Sequence, residues 1–192
     1  MTSPIDRIIQ ELARAEAGEP FDAARAALAT VDPTGGPDVR FVLVRQVSSE
    51  GLVFFTNYES RKAHQLERAP VAALAFHWHT TGIQVRARGP VKKASPEASD
   101  AYFASRHRGS QIGAWASPQS QPIRDREELE ARVREFETRF ADGAVPRPPH
   151  WGGFVLTPHT VEFWHNRESR LHDRREFQRA DDGTWSERRL AP

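Results

Sequence analysis

The sequence predicts a mainly β fold with flanking helices, an antiparallel sheet or small barrel with the helices packed outside it. Three observations carry this. Short β-branched runs follow one another at hairpin spacing, as in Ala27–Val31 and Val39–Val47 on either side of the turn Asp32-Pro-Thr-Gly-Gly-Pro37. The helical segments stand between groups of strands and do not alternate with them one for one, which disfavours a doubly wound parallel sheet. No Gly-x-Gly-x-x-Gly follows a strand and no P-loop is present, so a nucleotide has to be held another way.

Taken in order, Ile5, Ile8, Ile9 and Leu12 recur at the spacing of a helix with one apolar stripe, and Gly18-Glu-Pro20 closes it. Residues 1–192 are expected to form a single domain, with 1–21 its N-terminal helix and linker. After the first hairpin, Leu52 to Thr56 reads as a strand, and Arg61 to Arg68 as a helix capped by Ser60 and ended by Pro70. Val71 to Trp78 and Ile83 to Lys92 are strands, the second with Gln84, Arg86 and Arg88 on a wet face. Ser95-Pro96 begins a helix running to Arg106. Asp125 and Glu128 form a capping box ahead of a stripe, Leu129, Val133, Phe136 and Phe140, that should face a core. Beyond the stiff connector Val145-Pro-Arg-Pro-Pro149, Phe154–Leu156, Val161–Trp164, Leu171–Gln178 and Trp185–Arg189 supply the last strands.

Lys and Arg number 27 against 26 Asp and Glu, a net charge of +1, so no global field attracts nucleic acid and none is expected as a partner. Cysteine is absent, which removes disulfides, thiolate metal sites and a Cys nucleophile and fits a reducing compartment. No apolar run approaches the ~20 residues of a membrane span, so a cytoplasmic protein without a membrane partner is expected. His77-Trp-His79 is too sparse for a metal ligand set, and no metal is expected.

Function is therefore sought in local clusters. If the chain is extended from Arg170 onward, Arg170, His172 and Arg174 project to one face, and two guanidiniums around an imidazole suit an anionic ligand with an ionisable ring. The same pattern describes a solvated, Arg-rich edge strand. Tyr102, Arg106 and Ser110 are four apart and would share one face of a continuous helix as a phosphate clamp, although Gly109 weighs against an unbroken helix. Ser60-Arg61-Lys62 sets two cations at a helix N-terminus, where they are unfavourable unless an anion offsets them; Arg40 and Arg174 could join this second phosphate site. Gln84 and the segment from Gln111 to Gln121 offer amides and hydroxyls for the edge of a planar heterocycle. Each cluster taken alone also reads as ordinary solvated surface.

Together, Arg40-Phe-Val-Leu-Val, Phe55-Thr-Asn with Ser60-Arg-Lys62, Gln84-Val, Tyr102-Phe-x-Ser-Arg106, Ser110-Gln-Ile-Gly-Ala-Trp115, Gln119-Ser120, Trp151-Gly-Gly-Phe154, Glu162-Phe-Trp164 and Arg170-Leu-His-Asp-Arg174 resemble the pyridoxamine 5'-phosphate oxidase family. The likeness runs from about Ala27 to the C-terminal Pro192. It implies a split β-barrel homodimer with FMN at the subunit interface. The activity it implies is oxidation of pyridoxamine or pyridoxine 5'-phosphate to pyridoxal 5'-phosphate, with O2 becoming H2O2. By the family pattern Arg40, Phe41, Val42, Leu43, Val44, Phe55, Thr56, Arg61, Lys62, Gln84, Gln119, Ser120, Trp164 and Arg174 would bind FMN. Arg45, Tyr102, Arg106 and Ser110 would take the substrate phosphate, with Arg170 and His172 at the pyridine ring as the catalytic pair.

Two departures from the family pattern stand out. Arg45 occupies a position where the family usually has Lys, and nothing before Asp22 matches the family's longer N-terminal arm, so a lid is expected to be missing or replaced. Two other readings of the same residues are a split-barrel flavin oxidase on another substrate, of the phenazine-pathway type, and a non-catalytic flavin- or vitamer-binding protein.

Overall fold

The structure is a computed structural model that describes residues 3–192. Its centre is a closed barrel of six antiparallel strands: β1 (Arg25–Val31), β2 (Pro37–Ser48), β3 (Gly51–Asn57), β4 (Val71–Trp78), β5 (Ile83–Lys93) and β6 (Trp151–Leu156). Around the barrel the order is β4-β1-β2-β3-β6-β5, and β4 pairs with β5 to close it. Three further strands, β7 (Thr160–His165), β8 (Asp173–Arg179) and β9 (Trp185–Leu190), extend the sheet outward from β5. The split-barrel expectation holds, and its cause is visible in the pattern: β4 and β5 alternate buried and open positions along their length, as strands with one dry face must.

The barrel splits at β5. Residues 83–88 pair with β7, whereas residues 91–93 pair with β6. Gly89 and Pro90 lie at the change of partner, and the chain entering β7 presses against them. A Cβ on Gly89 would sit 2.1 Å from the Thr157 carbonyl oxygen, so only glycine fits. The barrel is filled by Leu28, Val44, Leu52, Phe54, Leu74, Phe76, Trp78, Val85, Leu156 and Phe163, all buried. Helix α1 (Pro4–Glu16) closes one side, with Ile8 fully buried and the Arg7 guanidinium 4.3 Å from the Phe163 ring centre.

The other helices, α2 (Arg61–Arg68), α3 (Pro96–Ser105), α4 (Arg108–Ala116) and α5 (Arg126–Arg139), lie outside the barrel. Between β5 and β6, α3 to α5 build a second, smaller core on Phe103, Ile112, Val145 and Trp151.

Three local expectations are corrected. Ser60 stands at the N-cap of α2 but makes no capping bond; its hydroxyl donates to the Asn57 carbonyl and accepts from Lys62 instead. The helix carrying Tyr102 does not continue to Ser110: Arg106 is extended at its C-cap, and His107 caps the start of α4 by accepting from the Gly109 N–H. By contrast, Asp125 caps α5 as expected, and Val133, Phe136 and Phe140 of its stripe pack, partly buried, against the small core. Arg170 is not on a strand. It ends a 3-10 turn, Glu168–Arg170, with Ser169 and Arg170 both at positive φ, and β8 begins only at Asp173. Arg170, His172 and Arg174 therefore do not form an alternating row.

The fold's tightest backbone contact gives a test. Alanine normally suits a strand better than glycine, but Gly89→Ala has to displace the Thr157 carbonyl, and thermal or chemical denaturation should show a loss of about 1–3 kcal/mol. A stabilised variant would contradict the packing described here.

Candidate active site

A cleft of about 460 Å³ opens where β2 and β3 of the barrel meet α2, α3 and α4. Its walls bring together Phe41, Val42, Leu43, Arg45, Phe55, Thr56, Lys62, Tyr102, Arg106, Ser110 and Gln119. Asn57, Gly113, Ala114, Ser117 and Trp151 complete the lining.

Lys62 is the cation of one end. Its Nζ donates to the Thr56 hydroxyl at 3.0 Å, the Gln119 side-chain carbonyl at 3.0 Å and the Ser60 hydroxyl at 3.3 Å. Among the described residues no carboxylate pairs with it. Burial, then the nearby Arg40 charge, lowers its pKa from 10.5 to about 8, and Asp38 offsets this only in part. That shift disfavours the charged form. An anion placed on the three oxygens' open side would reverse it.

Arg106 is a second cation of the cleft. Its guanidinium lies 4.8 Å from the Trp151 ring centre, and its Nη1 is buried with no hydrogen-bond partner among the described residues. Burial holds its pKa below the ordinary guanidinium value, but an arginine stays charged. Trp151, Phe55 and Tyr102 stack as a slab beside it, with ring centres 5.5 Å and 4.1 Å apart. A buried charge with an empty donor is costly unless a ligand completes it. The break between α3 and α4 is what aims Arg106 into the cleft along with Tyr102 and Ser110, so the three converge although they do not share one helix.

Arg45 also lines the cleft, where its guanidinium pairs with Asp22 at 2.9 Å. Arg40 and Arg61 stand behind the wall. Arg40 is engaged by Asp38, Gln65 and Thr30, and Arg61 borders a neighbouring hollow with His64 and Arg68. Val44 points into the barrel core, and Ser120 is exposed at φ 72° past Gln119.

The remaining expected residues form a separate group on the extended sheet. Gln84, Trp164 and Arg174 are direct cross-strand partners on β5, β7 and β8, so they make one row. The Arg174 Nε donates to Glu162 at 2.8 Å. Burial alone would raise the Glu162 pKa, but hydrogen bonds and charge from Arg174 and Arg86 hold it below the usual carboxylate range. The His172 ring packs 4.3 Å from Trp164, and its Nδ1 accepts the Arg167 N–H at 3.2 Å. Arg170 is exposed on the turn beside them. None of these five lines the cleft, although Gln84 and Phe41 border a common shallow groove.

Reading side chains from the sequence alone missed Trp151, which lies against both Arg106 and Phe55, and also Asn57 and Gly113. A solitary Trp before two glycines signals a site only if the cation above it is known. Gly113 is interior to α4, where glycine costs roughly 0.5–1 kcal/mol relative to alanine.

Comparison with known proteins bears on the whole chain. Residues 15–140 match the family profile described as pyridoxamine 5'-phosphate oxidase, and residues 151–192 match the pyridoxine 5'-phosphate oxidase C-terminal dimerisation region. A Brucella canis protein named pyridoxine/pyridoxamine 5'-phosphate oxidase is 50% identical over 190 residues, covering 98% of this chain and 94% of the relative. A Brucella suis biovar 1 protein of the same name is 50% identical, with 91% of it covered. That likeness extends ahead of Asp22, where motif reading alone found no match. Among solved structures, PhzG from Burkholderia lata, in complex with tetrahydrophenazine-1-carboxylic acid, superposes with a TM-score of 0.93 at 29% identity over 100% of this chain and 94% of that one. An FMN-binding protein from Nostoc punctiforme shares the fold, with a TM-score of 0.79 at 21% identity and full coverage of both chains.

Lys62 gives the test of the site's electrostatics. In the ligand-free protein its amine should titrate near pH 8 by NMR, and saturating inorganic phosphate should move the midpoint upward. Between about pH 8 and 10.5 the unfolded chain holds more protons at this position than the folded one. Ligand-free stability should therefore rise through that window and flatten when phosphate is bound. An ordinary lysine midpoint in both states would contradict the assignment.

Proposed function

Because this chain belongs to the pyridoxamine 5'-phosphate oxidase family, we propose that it oxidises pyridoxamine 5'-phosphate and pyridoxine 5'-phosphate to pyridoxal 5'-phosphate, with FMN as cofactor and O2 becoming H2O2. The observation that carries this reading is the pair of cations, Lys62 and Arg106, that face one cleft with no carboxylate ion-paired to either among the described residues. One cleft with two uncompensated cations asks for two anions, and a flavin mononucleotide and a vitamer phosphate bring one phosphate each.

The donor set fits that division. Lys62, with Thr56, Ser60 and Gln119 around it, would hold the flavin phosphate, and Arg40 and Arg61 add positive potential from behind the wall. Arg106, Tyr102 and Ser110 would take the substrate phosphate, a guanidinium fork with two neutral hydroxyls. Arg45 stands beside them with its charge partly committed to Asp22. When bound, the flavin ring supplies the two-electron redox chemistry, so the protein needs no nucleophile. What the chain contributes is alignment and exclusion of water: the Phe55–Tyr102–Trp151 slab forms a dry, flat wall, and fixed phosphates at both ends set the distance between the reacting rings.

The row Gln84, Trp164 and Arg174, with Arg170 and His172, would reach the cleft of a second copy of the chain. Three features support a homodimer of this kind. The row lies outside its own cleft, residues 151–192 match a dimerisation region, and Phe41 on the cleft rim is an exposed large apolar side chain beside exposed Val39. In such a dimer each site takes its phosphate clamps from one subunit, and its flavin-edge amide and pyridine-ring contacts from the other.

The direct experiment is oxygen uptake by the FMN-loaded protein with each vitamer phosphate, and with tetrahydrophenazine-1-carboxylic acid as comparator. Turnover of a vitamer phosphate is expected; turnover of the comparator alone, or tight binding of pyridoxal 5'-phosphate with no oxygen uptake, would overturn the reading. Arg106→Ala should lower kcat/KM by roughly 30-fold or more while retaining flavin. Lys62→Ala should instead deplete the flavin. Equal flavin loss in both variants would break the division of labour.

A further inference from the structure

Helix α4 presents Ser110, Gly113, Ala114 and Ser117 to the cleft. Glycine is, after proline, the least favourable residue for a helix interior, so its presence at position 113 needs a cause. The chain itself supplies none. The backbone there is ordinary helix, and a Cβ built on Gly113 meets no protein atom within 4 Å, in contrast to Gly89. Whatever requires the missing side chain therefore lies in the cleft.

Position narrows it further. Ser110 and Gly113 are three residues apart and so are neighbours on one helix face. A phosphate held by Ser110 and by the partnerless Nη1 of Arg106 would place the atoms that follow it above Gly113. We infer that Gly113 is a specificity-determining residue. Its bare backbone is the floor under the ring of the phosphorylated substrate, and it limits the size of ring system admitted. This rests on the vitamer-phosphate reading given above.

The test compares Gly113→Ala and Gly113→Leu with the wild-type protein, each as the FMN-loaded dimer. Alanine is the better helix former and has open space for its methyl group, so the melting temperature of Gly113→Ala without substrate should rise by about 2 °C or more. Its KM for pyridoxamine 5'-phosphate should nevertheless rise roughly tenfold, and further in Gly113→Leu, with FMN affinity and dimer assembly unchanged. A wild-type KM in both variants would overturn the inference. So would a loss that falls on flavin affinity or dimerisation, which would assign the glycine to the cofactor or the partner subunit. A lowered melting temperature in Gly113→Ala would mean that the chain itself needs the glycine. If the wild-type protein turns over neither vitamer phosphate, the functional reading fails first and this inference falls with it. An active wild type with insensitive variants sinks the inference alone.

Discussion

Uncompensated positive charge is the constraint on which the rest of the structure depends. Lys62 and Arg106 are each held by neutral neighbours, hydroxyls and an amide for one, aromatic rings for the other, and among the described residues neither forms an ion pair with a carboxylate, although Asp38 acts on Lys62 from a distance. The chain does not lack acids to spend: Glu162 is buried between Arg86 and Arg174, and Asp22 neutralises Arg45. Leaving two cations unpaired in one cleft lowers stability without ligand and raises affinity for anions. On the proposed reading, the two phosphates would relieve that cost on binding.

The barrel makes this arrangement rigid. Lys62 hangs from α2 directly after β3, whereas Arg106 hangs from the break between α3 and α4, inserted between β5 and β6. Because β3 and β6 are direct partners, and Trp151 on β6 carries both the aromatic slab and the Arg106 contact, the two clamps are tied through one sheet. The backbone crossing at Gly89 fixes where β5 leaves that sheet to join β7, and so where the Gln84–Trp164–Arg174 row stands relative to the cleft.

Much of this was legible in the residues, for physical reasons that differ from element to element. Strands with one dry face announce themselves, and β4 and β5 fall within a residue of their expected bounds because each alternation is paid for by burial. Tyr102, Arg106 and Ser110 were grouped for their chemistry on the condition of a continuous helix, against which Gly109 already weighed, and the helix does end at Arg106 as its own bounds predicted. A helix break is decided by caps, and a His cap such as His107 carries no strong signal in sequence. The apolar stripe of α5 was read as core-facing, and Val133, Phe136 and Phe140 do pack against the small core, though only partly buried, because periodicity reports which face is apolar and not how deeply it is covered. The turn at Glu168–Arg170 was invisible for a sharper reason: Ser169 and Arg170 both adopt a positive φ that neither residue favours, so local preference pointed to a strand that tertiary structure overrides.

What a single chain does not bring together is its two residue groups, since Lys62, Tyr102, Arg106 and Ser110 line the cleft and the row with His172 stands elsewhere on the sheet. The central claim is that a second copy brings them together. It is tested most directly by co-expressing Arg106→Ala and His172→Ala chains, each close to inactive alone. If every site draws on both subunits, random pairing makes half of the dimers mixed and each mixed dimer carries one intact site, so the mixture should regain roughly a quarter of wild-type turnover. A mixture no more active than the average of its two parents would show that each site is built within one chain, and the account would fail.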